Sequence, residues 1–170
     1  MSIKSKIRSI KNYPKEGIVY RDITTLLKDK EGYKDTIDTL TEIAKEYDVD
    51  LVLGIEARGF IVGAPVAYNL NCGFVPVRKS GKLPMDTLNG TYELEYGHDE
   101  LEIHIDAIEK GQKVIILDDL LATGGTSRCV AEMVEKLGGK IEAFIFLSEL
   151  SDLNGRKEIE KYDVRSIIKF

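Results

Sequence analysis

Apolar and polar positions along the 170 residues fall into two alternating periods. In YKDTIDTLTEIAKEYD, Ile37, Leu40, Ile43, Ala44 and Tyr47 recur at three- and four-residue spacings, which predicts a helix with one buried stripe. VDLVLGI follows as an unbroken apolar run rich in branched residues, the pattern of a strand covered on both faces. GFIVGAPVAYNL reads as helix despite Pro65, and GFVPVRK as the next strand. The same order returns further on: KVIILDD as strand, a helix from about Thr126 to Leu137 stopped by Gly138 and Gly139, and KIEAFIFL as strand. Strand and helix in alternation predict an α/β chain with a mainly parallel twisted sheet flanked by helices. Between the two units, GTYELEYGHDELEIHIDAI sets Leu101, Ile103 and Ile105 against polar neighbours, a hairpin excursion and not a crossover helix. At the N-terminus, MSIKSKIRSI aligns Ile3, Ile7 and Ile10 on one face of a predicted short helix.

Composition narrows the class. A chain of 170 residues suits one domain, and at this size folding buries roughly 70% of the exposed surface, so no disulfide or metal staple is needed. Hydrophobic residues at 43%, charged residues at 31% and a net charge of −5 argue against the basic footprint of a nucleic-acid binder. No repeat, low-complexity tract or linker stands out. Nor is there an apolar run long enough for a signal peptide or membrane span, which predicts a cytoplasmic protein. Cys72 and Cys129 have no CxxC spacing or His cluster around them, as expected of reduced structural thiols.

Chemistry concentrates in VIILDDLLATGGTS. Ligands of open α/β sheets bind outside the carboxyl ends of the strands, which is where this stretch lies. Asp118 and Asp119 follow the apolar run, and Ala122, Thr123, Gly124, Gly125 and Thr126 form a turn into the next helix. Successive N–H groups in such a turn converge on an anion, helped by the positive end of the helix. Neither the P-loop spacing nor the dinucleotide fingerprint occurs. Two adjacent carboxylates can chelate a metal, accept from vicinal hydroxyls or stabilise a developing positive charge, and all three point to a phosphorylated sugar. A capping Asp and a plain glycine turn would explain single residues but not the whole stretch.

The stretch resembles the segment that binds phosphoribosyl pyrophosphate (PRPP) in type I phosphoribosyltransferases, in the form found where adenine is the base. The likeness continues, in the order of that family, through YPKEGIVYRDIT, GIEARGF, VPVRKSGKLP, ELEYGHDELEIHIDAI and LSELSDLNGR. It implies a type I phosphoribosyltransferase fold in a single domain, with a small hood mainly over residues 1–32 plus the C-terminal segment, a core over about 33–150, and a flexible β-hairpin lid. The implied reaction joins adenine to PRPP, giving AMP and pyrophosphate, and the implied assembly is a homodimer.

By the same resemblance, Asp118 and Asp119 face the ribose hydroxyls, and Ala122, Thr123, Gly124, Gly125 and Thr126 hold the 5-phosphate. Arg58 meets the pyrophosphate with Arg78, Lys79 and Lys82 nearby; the guanidinium fork suits phosphate oxygens. Glu95 and Tyr96 on the lid join Arg58 as catalytic candidates, Glu95 as the base that takes a ring-nitrogen proton. Val19, Tyr20, Arg21 and Leu150 are matched to the adenine pocket, with the Tyr20 ring as a stacking surface. Mg²⁺ is implied as a companion of PRPP, held mainly by its oxygens and water, and no side chain is assigned as a metal ligand. His98 and His104 fall on no matched catalytic position and are expected at the surface. Tyr20 stands where the family often has Phe, and Ser80 where a basic residue or Pro often sits. Two rival readings are a different base, 6-oxopurine or pyrimidine, and a PRPP-sensing regulator that binds nucleic acid. The second needs a basic face or a DNA-binding segment, and this chain is acidic.

Overall fold

In the computed structural model, which describes residues 2–94 and 97–170, the chain divides into two units, Met1–Thr39 and Leu40–Phe170. The first holds a 3-10 helix Ile3–Lys6, strands β1 (Arg8–Lys11) and β2 (Val19–Asp22), the single-turn helix α1 (Thr24–Leu27) and the start of helix α2 (Lys30–Ala44). β1 and β2 pair antiparallel from Arg8 opposite Asp22 to Lys11 opposite Val19. The predicted N-terminal helix therefore stops at Lys6. Spacings of four and three residues do not distinguish a short helix from a turn entering a strand, and pairing with β2 satisfies the backbone of residues 8–11. The Arg8 guanidinium seals that pairing, donating to Asp22 from Nε at 3.0 Å and Nη2 at 2.5 Å.

The second unit carries β3 (Leu51–Ile55), α3 (Arg58–Leu70), β4 (Gly73–Lys79), β5 (Thr87–Leu94), β6 (Gly97–His104), β7 (Lys113–Leu121), α4 (Gly125–Leu137), β8 (Lys140–Glu149) and β9 (Asp163–Lys169). Two 3-10 helices, Ser151–Leu153 and Gly155–Ile159, connect β8 to β9. The sheet order is β5-β6-β4-β3-β7-β8-β9. β4, β3, β7, β8 and β9 run parallel, whereas β6 pairs antiparallel with β4 and with β5. The α/β reading with a mainly parallel sheet is borne out. The apolar runs became its centre: Val52, Leu53, Val114, Ile115, Ile116, Leu117 and Phe144 through Leu147 are fully buried. α3 lies against β3 and β7, and α4 against β5 and β8. Pro65 lies inside α3, which ends at Asn71 in the left-handed region, while α4 ends at Gly138 with φ 87°.

The contact boundary falls within α2, between Thr39 and Leu40. The C-terminal segment contributes β9, which pairs with β8 from Asp163 opposite Ala143 to Lys169 opposite Glu149. DVRSIIK has no clean alternation, and all of its residues but Ile168 keep some exposure, so its period gave no strand signal. In the hairpin, Leu101 and Ile103 are buried as expected, but Ile105 lies past the end of β6 and is exposed, and Glu102 between them is buried. His104 is half-buried with its Nε2 covered, not a surface residue.

Candidate active site

β3 and β7 are parallel neighbours whose connections part company. β3 continues through α3 to β4 on one side, and β7 through α4 to β8 on the other. Such a divergence opens a crevice at the carboxyl ends of the two strands. A cleft of about 200 Å³ lies there, lined by Ile55, Glu56, Ala57, Arg58, Lys79, Tyr92, Leu101, Asp118, Asp119, Leu120 and Thr126. A larger cavity of about 420 Å³, lined by Arg156, Lys157, Glu160, Tyr162, Asp163 and Val164, shares no residue with it and gathers no comparable chemistry.

The acidic pair belongs to β7 itself. The Asp119 N–H donates to Asp118 Oδ1 at 2.9 Å, and Ser148 on β8 donates to the Asp119 carbonyl at 3.0 Å. Arg58, the first residue of α3, sets Nε 3.1 Å from Asp119 Oδ2. Burial pushes both carboxyls above the ordinary Asp range; the Asp119 charge adds to the rise of Asp118, and the Arg58 guanidinium opposes that of Asp119. The floor of the cleft is therefore a carboxylate pair that shares one cation and resists full ionisation.

Residues 122–124 form the turn after β7, and α4 begins at Gly125. Gly124 is the N-cap residue, with φ 88° and no side-chain cap bond. Its carbonyl already accepts the Arg128 N–H at 2.9 Å, while the first-turn N–H groups of a helix have no intrahelical acceptor. That leaves a row of amides at the positive end of a thirteen-residue helix, the arrangement that binds a phosphate dianion. Of these residues, Thr126 lines the cleft.

The opposite wall is made of side chains. Glu56 Oε2 accepts the Lys79 backbone N–H at 2.9 Å and Arg78 Nε at 3.1 Å. Burial alone would raise the Glu56 pKa, but that amide and guanidinium hold it below the ordinary Glu range. The Lys79 ammonium donates to the Tyr92 hydroxyl at 2.8 Å and pairs with Asp99 of β6. Burial would lower the Lys79 pKa, and the Asp99 and Tyr92 bonds outweigh it and raise it. Glu102 accepts three consecutive backbone N–H groups, from Gly81 at 3.0 Å, Lys82 at 2.7 Å and Leu83 at 2.6 Å. Arg78 Nη1 closes the same turn by donating to the Lys82 carbonyl at 3.3 Å.

The fold thus brings Arg58, Lys79, Asp118, Asp119 and Thr126 to one cleft. Arg78 joins it through Glu56, and Lys82 through the turn that Glu102 fixes. Glu95 and Tyr96 lie outside the described residues. Val19, Tyr20 and Arg21 are consecutive on β2, where the Tyr13 and Tyr20 rings meet edge to face at 5.3 Å. Leu150 follows β8, its N–H bonded to the Leu121 carbonyl at 2.9 Å. Sequence reasoning missed Glu56, Tyr92, Asp99 and Glu102. Glu56 stands in GIEARGF but was overshadowed by Arg58; the other three act across strands, and only the register of β4, β5 and β6 shows it.

Residues 22–170 match the phosphoribosyl transferase domain family. The chain is 58% identical over 170 residues to the adenine phosphoribosyltransferase of Clostridium tetani, covering 100% of this chain and 99% of that one. The crystal structure of the Thermoanaerobacter pseudethanolicus adenine phosphoribosyltransferase superposes with a TM-score of 0.96 at 54% identity, covering 99% of this chain and 98% of the other. That of Saccharomyces cerevisiae, in complex with D-2,5-dideoxy-2,5-imino-altritol 1,6-bisphosphate and adenine, does so with a TM-score of 0.89 at 38% identity, covering 95% and 94%.

Proposed function

The chain belongs to the phosphoribosyl transferase family, and from that premise we propose how its cleft divides the work of a purine-salvage reaction. The reaction transfers the 5-phosphoribosyl group from PRPP to adenine and gives AMP and pyrophosphate. Departure of pyrophosphate leaves positive charge on the ribose and negative charge on the leaving group, so the site must meet both signs a few ångströms apart. The observation that carries the assignment is the contact of Arg58 with Asp119 on the cleft floor, at 3.1 Å, at the switch point of the sheet.

In this reading Asp118 and Asp119 accept from the ribose hydroxyls and favour the oxocarbenium-like transition state. Residues 122–126 hold the 5-phosphate through their amides. Arg58 and Lys79 take the pyrophosphate, with Arg78 and Lys82 supporting them. Glu95 is assigned the ring-nitrogen proton, and Tyr96 is the second catalytic candidate beside Arg58. Adenine is assigned to Val19, Tyr20, Arg21 and Leu150. Mg²⁺ accompanies PRPP. Among the described residues no group of three or more His, Cys, Asp or Glu side chains is placed to hold a metal; in this reading the ion is held mainly by PRPP and water. When bound, the ion neutralises charge on the pyrophosphate. We assign the protein to the cytoplasm, in keeping with the free thiols of Cys72 and Cys129. We also assign it to a homodimer, for which the exposed Ile61 and Tyr68 of α3 offer apolar surface.

The test is an assay for AMP from adenine, PRPP and Mg²⁺, with hypoxanthine, guanine and orotate run in parallel. AMP from adenine alone is expected, and a preference for any other base would overturn the reading.

A further inference from the structure

Gly155 opens the 3-10 helix Gly155–Ile159, far along the chain from the turn at residues 122–124, yet the two backbones interlock. A Cβ on Gly155 would stand 2.3 Å from the Ala122 carbonyl oxygen, 3.1 Å from the Ala122 carbonyl carbon and 3.1 Å from the Gly124 nitrogen. In return, a Cβ on Gly124 would stand 2.3 Å from the Gly155 carbonyl oxygen. No Cβ fits on either glycine, and on the Gly124 side it would also stand 2.9 Å from Glu158 Cβ. Gly155 does not have a positive φ, so it is glycine for the closeness of the turn and not for its own conformation.

The helix that carries Gly155 has little freedom to retreat. Arg156 donates to Glu149 of β8 at 3.0 and 2.6 Å and to the Val164 carbonyl at 2.7 Å. Ile159, at the other end, is fully buried in the core. Glu158 reaches back to α4, pairing with Arg128 at 2.5 Å. A segment anchored at three points, and touching the turn through the Gly155 backbone and the Glu158 stem, acts as a stop against which the amides of residues 122–124 are set.

We propose that Gly155 is a positioning residue for the 5-phosphate: by abutting the Ala122 carbonyl and the Gly124 nitrogen it fixes the backbone of the turn, and with it the amides that meet the phosphate, without touching the substrate itself. This rests on the assignment of residues 122–126 to the 5-phosphate. In Gly155→Ala the anchored helix holds and the turn yields, displacing its amides. Because the 5-phosphate is distant from the bond being broken, the loss falls on ground and transition states alike.

The test uses the full chain and titrates ribose 5-phosphate and pyrophosphate separately by calorimetry, alongside steady-state kinetics. Gly155→Ala is expected to weaken ribose 5-phosphate binding and raise the KM for PRPP, each by about tenfold or more. The affinity for pyrophosphate and the kcat stay within about twofold, a split that general loss of stability does not produce. Glu158→Ala, which removes the Arg128 pairing and part of the stem packed against Gly124 while leaving Gly155 intact, is expected to give a smaller loss in the same direction, about threefold, and serves if Gly155→Ala does not fold. Unchanged ribose 5-phosphate affinity in the folded variants, or an equal loss for pyrophosphate, overturns the proposal. Gly124→Ala, which disturbs the amides of the turn directly, separates this from the parent reading. If it too leaves ribose 5-phosphate affinity unchanged, the 5-phosphate assignment itself fails; if it weakens binding while Gly155→Ala does not, only the positioning role falls.

Discussion

The turn at residues 122–126 and the wall formed by Glu56, Arg58, Arg78 and Lys79 both meet phosphoryl groups in the proposed complex, one with backbone and the other with side chains. The turn is set by the geometry of Gly124 and by contact with Gly155. Its amides are oriented before any ligand arrives. The wall is different, because its cations already have partners: Arg58 with Asp119, Arg78 with Glu56, Lys79 with Asp99. In the proposed complex one end of PRPP meets a preset cradle, and the other has to exchange partners.

That exchange links the two halves of the chemistry. If pyrophosphate draws Arg58 away, Asp119, only 4% exposed, loses its counter-charge, and a buried carboxylate left alone is costly. Ribose hydroxyls reaching the pair at that moment supply the missing donors. On the proposed assignment, sugar and leaving group thereby favour each other's binding.

The largest expected effect comes from breaking the cradle. Gly124→Ala combines a φ of 88° with a Cβ that would meet the Gly155 carbonyl at 2.3 Å. It is expected to lower kcat/KM for PRPP by about a thousandfold, since loss of oriented donors costs on the order of 10²–10³ even without backbone strain. Kinetics within threefold of the parent protein would show that the amides of this turn do not hold the phosphate.

Asp118→Asn comes next and separates function from stability. Loss of the negative charge is expected to lower kcat about a hundredfold. Stability moves the other way. A carboxyl whose pKa is raised on folding favours the folded state below its unfolded pKa and loses that benefit as pH rises through the folded value. Near neutral pH the ionised Asp118 therefore destabilises the fold, and Asn keeps the acceptor for the Asp119 N–H. A gain of about 2–4 °C in Tm near pH 7.5 is expected, shrinking in acid. A lower Tm near neutrality would contradict the electrostatic account of the pair.

The contrast between cradle and wall also explains what the sequence could disclose. Everything local was legible: the apolar runs of β3 and β7, the Asp118–Asp119 pair, the glycines of the turn, the helix that follows. Partners set by strand register were not. Nothing near Lys79 in the chain points to Asp99, and the alternation around Glu102 suggests a solvent-facing carboxylate where three amides in fact converge on a buried one. Gly155 was likewise opaque, since its demand for glycine comes from a backbone more than thirty residues earlier. β9 was missed because DVRSIIK at a sheet edge lacks a clear period.

Arg58→Ala probes the wall through pH. It is expected to lower kcat/KM for PRPP about thirtyfold, in the range for loss of one charged contact. The acid limb of the profile, which reports the free carboxylate pair, moves as well. Arg58 is the group that holds the Asp119 pKa down against burial, so its removal raises that pKa and shifts the limb to higher pH. A limb that stays in place, or moves down, would separate Arg58 from the acidic pair.

The smallest effect belongs to Glu102→Gln, and it bears most directly on whether wall and cradle are independent. Glu102 Oε1 accepts from Lys82 and Leu83, and Oε2 from Gly81. A glutamine can keep the first two bonds through its carbonyl, but its NH₂ group then faces the Gly81 N–H, donor against donor. The turn bearing Lys82 loosens by about 1–2 kcal/mol, and the KM for pyrophosphate in the reverse reaction from AMP is expected to rise about three- to fivefold while kcat holds within about twofold. Ribose 5-phosphate, held by the cradle and the acidic pair and not by the turn bearing Lys82, keeps its affinity. If both ligands weaken together, the two ends of the cleft are one mechanical unit, and the distinction between preset backbone and exchanging side chains does not describe how this protein binds PRPP.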